Sequence, residues 1–190
     1  MPQLHLYGAD VTEWESGGYD LVQSVLGVHS FSEVDADTAR LIERARPGGR
    51  VAVTVWARGA LDPLPELLAD ALHDDAASDA DAASDTEAAS DADAATDTEA
   101  RVADTPGTLA KWLTELGLVD VRAETVQRHL DVTPELAWQL VLGTHLRRLV
   151  EQLDDEALAA VRERCLAEVA RRSVSSVDVT TLIAVGRRPA

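Results

Sequence analysis

Few residues in this chain combine reactive chemistry with a placement that could use it. His29 follows YDLVQSVLG (19–27), an apolar run that reads as a strand. An imidazole just past a strand end titrates near neutrality and can serve as a general base. An ordinary loop histidine fits the same position. Ser24, Val25 and Leu26 close that run. At the carboxyl end of a parallel strand such residues face a ligand crevice, and Val25 and Leu26 equally suit a plain core. Asp10 and Val11 follow the short apolar stretch LHLYGA (4–9). A carboxylate there can accept from a ligand, or it can cap a turn. Trp56 ends a second apolar run, as a pocket wall or as a core aromatic. Trp138 and His145 fall in a helical region, where a substrate pocket, packing and surface are all open readings.

Other chemistries lack their residues. Cys165 is the only cysteine, so internal disulfides and a cysteine zinc site are excluded, and a reducing compartment fits. No His-Glu-x-x-His or Gly-x-Ser-x-Gly occurs. The 190 residues carry a net charge of -17, and residues 70–104 hold twelve acids against one arginine. With no basic stripe to compensate, nucleic acid is not the expected partner. Residues 76–99 repeat a hexapeptide: AASDAD, AASDTE, AASDAD, AATDTE. Such units have no large apolar side chain to offset their ordering entropy, so 74–104 is expected to be a disordered acidic insertion. Calcium would need a bending glycine and a spaced bidentate glutamate, and both are missing. The start, MPQLHLYGAD, has no basic region before an apolar core, and no run approaches a membrane span. A cytoplasmic protein with no membrane partner is the expectation.

The elements that must position these residues alternate. Strands are expected at 4–9, 19–26, 49–56, 118–127 and 177–188. Helices are expected at 35–46 with Asp35 as N-cap, at 62–73, and at 105–117 with Gly117 at the end. Residues 133–172 read as helical, opened by Thr133 with Pro134 and again by Asp154 or Asp155. GRVAVTVW is nearly all apolar, as a strand covered on both faces must be. The order predicts an α/β fold: a Rossmann-like, mostly parallel sheet with helices on both faces, an antiparallel last strand and a helical insertion before it. The parts are 1–73, the acidic insertion 74–104, and 105–190 with a helical cap at 133–172.

In this order the motifs resemble class I S-adenosylmethionine-dependent methyltransferases. YDLVQSVLGVHSF, a helix, and then RPGGRVAVTVW are similar to that family's "(F/Y)DLV" strand and "PGG" entry into the next strand. GADVTEW before GGYDLV, and the closing pair GLVDVRAETV and TTLIAVGRR, fit the same pattern. The resemblance implies S-adenosylmethionine as cofactor and a small-molecule methyl acceptor. It makes Asp10 the acid at the adenine end, with the Val11 N–H on a ring nitrogen. It sets Ser24, Val25 and Leu26 beside the methionine part, with His29, Trp56, Trp138 and His145 toward the acceptor.

One family motif is absent: no G-x-G-x-G loop occurs, nor the acid that holds the ribose. Asp10 cannot be that acid, because eight residues before Tyr19 are too few for the intervening helix and strand. Residue 1 then falls just before the family's third strand, and strand 19–26 would be an exposed apolar edge. Three repairs stay open: a longer natural protein, strand 4–9 sliding over to pair with 19–26, or a second copy covering the edge as a homodimer. The expected function is methyl transfer, impaired by the missing loop. The rival is a non-catalytic interaction module. A nicotinamide oxidoreductase would need the same absent loop.

Overall fold

A computed structural model describes residues 4–79 and 104–190, the side chains of 74–79 excepted. In chain order the elements are β1 (Tyr19–Val25), α1 (Val34–Glu43), β2 (Ala45–Trp56), α2 (Leu64–Asp79), α3 (Pro106–Glu115), β3 (Val119–Val126), β4 (His129–Asp131), α4 (Pro134–Gly143), α5 (Asp155–Arg171), β5 (Ser176–Asp178) and β6 (Thr181–Arg187). The chain divides into two compact units. One comprises Met1–Val55, Val102–Glu124 and Leu182–Ala190; the other comprises Trp56–Arg101 and Thr125–Thr181.

The first unit holds a four-stranded sheet in the order β1-β2-β6-β3. β1 and β2 run parallel, joined through α1, with Val22 opposite Val51 and Val25 opposite Thr54. Gly48 N–H donates to the Arg188 carbonyl at 2.9 Å, whereas Ala57 N–H donates to that of Thr180 at 3.1 Å. As β2 advances its partner retreats, so β6 is antiparallel. The expected α/β class, helical insertion and antiparallel last strand are therefore present. Parallel pairing is confined to β1 and β2, because β1-α1-β2 is the only crossover unit among the described residues of this sheet.

One sheet face is covered. Val51, Val53 and Val55 of β2 and Leu182 and Ala184 of β6 are buried at alternate positions. Leu41 and Ile42 of α1 and Leu109, Trp112 and Leu113 of α3 are buried with them. The Trp112 indole donates to Asp35 Oδ1 at 2.8 Å, which ties α3 to α1. The intervening positions look outward: Leu21 is 53% exposed and Val25 57%. Helices on both faces were expected, and these outward positions of the sheet are left to solvent.

Several expected bounds shift for local reasons. Residues 4–9 form no strand, and Leu4, Leu6 and Tyr7 are largely exposed. Three apolar side chains without a pairing partner do not make a strand. Neither do they cover the β1 edge. Asp35 is not the N-cap of α1. Glu33 is, and the Asp37 carboxylate accepts from its N–H at 3.2 Å. Helix α1 ends at Glu43, where Arg188 donates to the carbonyls of Glu43 and Ala45 at 2.7 and 2.6 Å.

Pro47-Gly48-Gly49 lies inside β2 as a bulge: Tyr19 pairs with Ala45, but Leu21 pairs with Arg50. Gly48 takes φ +71°, and a Cβ on Gly49 would stand 2.8 Å from the Arg46 carbonyl oxygen and 3.0 Å from that of Tyr19. The expected closing strand 177–188 is divided between β5 and β6, which belong to different sheets.

The second unit packs Leu64, Leu67 and Leu68 of α2 against Trp138 and Val141 of α4 and Val161 and Cys165 of α5. Thr133 and Asp154 cap their helices as expected, accepting from Leu136 N–H at 3.2 Å and Ala157 N–H at 2.9 Å. β4 and β5 form a short antiparallel pair, with Leu130 opposite Val177. Helix α2 runs to Asp79, into the first acidic repeat; residues 80–103, most of the expected disordered insertion, lie outside the described residues.

Candidate functional site

Of the first unit's sequence candidates, Ser24, Val25, Leu26 and His29 lie at the carboxyl end of β1. Apolar alternation carries the strand as far as Val25, and the chain then turns sharply. Leu26 takes φ +54°, a conformation that non-glycine residues rarely adopt, and its N–H donates to the Thr54 carbonyl at 2.9 Å. Gly27 follows, and a Cβ there would come within 3.1 Å of the Ser24 hydroxyl. A glycine therefore lets the turn close over that hydroxyl. Val28 is fully buried and anchors the one-turn 3-10 helix Val28–Ser30 that carries the half-buried His29. Ser24, Leu26 and His29 are thus held by a strand end, a backbone hydrogen bond and a buried valine. Val25 stands outward beside them, 57% exposed. No motif points to Gly27 or Thr54; the glycine straight after an apolar strand was the one available signal for this turn.

Asp10 and Val11 sit differently. The Asp10 carboxylate is exposed, and its Oδ1 accepts from the Thr12 N–H and hydroxyl, both at 2.8 Å. The Thr12 hydroxyl, then its N–H, lower the Asp10 pKa from its ordinary value. This is an Asx turn, the alternative reading of that aspartate. The loop's ends lean toward the start of β1, not its end. Tyr7 and Trp14 have ring centroids 5.0 Å apart, and the Trp14 indole donates to the Tyr19 hydroxyl at 3.0 Å. Val11 is 42% exposed.

The remaining candidates belong to the second unit. Trp138 is buried in its apolar core, and half-buried Trp56 packs on that core. His145 opens the short 3-10 helix His145–Leu149, where the Thr144 hydroxyl accepts from the Leu146 N–H at 3.4 Å. Burial raises the Cys165 thiol above its ordinary pKa, which suits packing rather than nucleophilic chemistry. No group of three or more histidine, cysteine, aspartate or glutamate side chains among the described residues could hold a metal ion. No helix among them is long and apolar enough to cross a membrane.

The end of β1 presents a half-buried hydroxyl on the covered face, an exposed apolar side chain on the other face and a glycine turn. That set does not by itself fit the carboxylate and ribose ends of S-adenosylmethionine, which need several backbone donors and an acid.

No family model matches the sequence, and no curated protein matches it. Solved structures do match. Loganic acid methyltransferase with SAH is similar over 94% of this chain and 56% of its own, at 9% identity and a TM-score of 0.52. The YcgJ protein from Bacillus subtilis aligns over 96% of this chain and 70% of its own, at 10% identity and a TM-score of 0.46. Phosphoethanolamine N-methyltransferase 2 of Haemonchus contortus aligns over 95% and 36%, at 12% identity and a TM-score of 0.41. This chain spans about a third of the Haemonchus enzyme and just over half of the loganic acid enzyme. At these identities the likeness is one of fold, and it rests on the loganic acid methyltransferase alignment. The architecture is that of the class I methyltransferase fold.

Proposed function

We propose that this protein binds S-adenosylmethionine and serves methyl transfer to a small molecule. The observation that carries the reading is the carboxyl end of β1, where the strained Leu26–Gly27 turn closes over the Ser24 hydroxyl. The loganic acid enzyme, on the same fold, is solved with SAH, which supports that choice of cofactor. The cofactor brings an activated methyl sulfonium, so the protein's contribution is to bind, align and exclude water. In this reading Ser24 and Leu26 bound the cofactor's methionine end. His29, one turn further on, would take the acceptor's proton only if its ring, both nitrogens of which are buried, turned outward. Asp10 and Val11 would reach the adenine only if their loop moved from its Asx turn. Trp56, Trp138 and His145 belong to the second unit, Trp138 to its core, and take no part in this strand-end site. The sequence contains no G-x-G-x-G loop, so the proposed activity of these 190 residues alone is weak.

Titration with S-adenosylmethionine and S-adenosylhomocysteine tests the reading. Saturable binding that Ser24→Asp weakens at least about tenfold is expected, because a carboxylate would be desolvated against the turn. Folded protein that takes up neither compound would overturn it. A second reading, a non-catalytic module that pairs through β1, is favoured by one observation: Leu21 and Val25 are exposed along a sheet edge. A second copy is the occupant we propose for that edge in either case.

A further inference from the structure

We propose that the open face of the β2-β6-β3 sheet carries an anion-binding site, built from Arg50, Arg122 and Arg187, for a small molecule with two or more anionic oxygens. The three arginines come from three neighbouring strands and line one recess of about 600 Å³ with Asp120, Val121 and Val185. Each stands at an exposed, outward position of its strand. None makes an ion pair or side-chain hydrogen bond among the described residues. Other arginines of this chain do: Arg40, Arg46, Arg171 and Arg172 meet carboxylates, and Arg44, Arg164 and Arg188 meet carbonyls.

Three guanidinium groups around one recess repel one another unless something neutralises them. Acids are not scarce, since the chain has 34 of them against 17 lysines and arginines. Among the described residues Asp120 is the one acid lining this recess and Glu124 the one lining the adjoining recess that Arg122 shares, so the three arginines there outnumber the acids. A guanidinium presents a rigid fork of donors that matches phosphate or carboxylate oxygens two at a time. Two forks from different strands therefore suit two anionic groups on one ligand. Asp120 can accept from a hydroxyl or ammonium on the same molecule. Val121 and Val185 give the floor an apolar part, and the volume lies in the range of small-molecule sites.

The site is separate from the proposed methyl-transfer site. Arg50 lies four residues before Thr54, the carbonyl that holds Leu26, which is about 13 Å along a strand. It neither depends on the proposed cofactor nor competes with it for these residues.

Phosphate esters and polycarboxylates share the required chemistry, so pyrophosphate and citrate are the two probes. Each is titrated into the full chain by calorimetry, at low salt and at raised salt. One-site binding of at least one probe is expected, weakened by salt. Arg122→Gln or Arg187→Gln should each weaken it about tenfold or more, and the pair should abolish it. Arg162→Gln, an exposed arginine on α5, should leave it unchanged. Circular dichroism checks that the variants are folded. Binding of pyrophosphate alone assigns the site to phosphorylated ligands, and binding of citrate alone to polycarboxylates. No saturable binding of either probe would overturn the proposal. So would binding that the arginine variants leave intact, or binding confined to an Asp/Glu-rich peptide.

Discussion

Asp10 shows how a residue can fit a motif and still be occupied elsewhere. Its Oδ1 is already engaged by Thr12, and that hydrogen bonding holds its pKa down. Thr12→Val should therefore let the Asp10 carboxyl pKa rise toward its ordinary value, read by NMR titration of the side-chain carbon. If Asp10 also reaches the adenine, Asp10→Ala should weaken binding of S-adenosylhomocysteine about 5- to 100-fold. Unchanged affinity would leave it a turn residue. His29 and Ser24 were legible from their place after an apolar strand. The turn that presents them was not, because a leucine at φ +54° carries no compositional signal. Trp138 was ambiguous for a different reason. An aromatic side chain reads the same in a pocket wall and in a core, and the structure puts this one in the core.

At the scale of elements, caps and glycines were the readable features. Thr133 with Pro134, Asp154 and Gly117 mark helix ends where expected, because each satisfies orphan backbone groups in a way few other residues can. LHLYGA failed as a strand because pairing, not composition, makes strands. Pro-Gly-Gly gave the right place but the wrong device: the glycines serve a bulge within β2 rather than a turn before it. Gly49→Ala should cost about 1–3 kcal/mol, read as a lowered Tm, because the added methyl meets two backbone carbonyls.

The link between α2 and α5 supplies a pH test. Arg172 meets Glu66 at 2.9 Å, Asp70 at 2.6 Å and Glu168 at 3.2 Å, while Arg171 meets Glu168 at 2.6 Å. The Arg171 hydrogen bond, with that of Arg172, lowers Glu168 from 4.5 to about 2. A carboxylate whose folded pKa is depressed stabilises the fold above its ordinary pKa. That contribution is lost as pH falls from 4.5 toward about 2. Thermal melts across this window should fall less steeply in Glu168→Gln than in the parent protein. Parallel curves would mean that solvent screens the network completely.

For the whole molecule, fold class was legible because alternating strands and helices leave few arrangements. The open face and the recess of Arg50, Arg122 and Arg187 were not. They depend on which strand positions share a face, and that depends on the register set by the β2 bulge. The sheet edge at β1 exposes Tyr19, Leu21 and Val25, and soluble proteins rarely leave such an edge bare. Sedimentation of the parent chain should therefore show concentration-dependent dimers, and Leu21→Lys should shift them to monomers with a stability change of about 0.5 kcal/mol or less. A parent chain that is monomeric at every concentration would remove the paired edge.

The most direct test of the central claim is calorimetric titration of the folded chain with S-adenosylhomocysteine. Saturable one-to-one binding is expected, weakened at least about tenfold by Ser24→Asp and unchanged by Arg122→Gln. No binding to folded protein, or binding indifferent to Ser24, would contradict a methyl-transfer site at the end of β1.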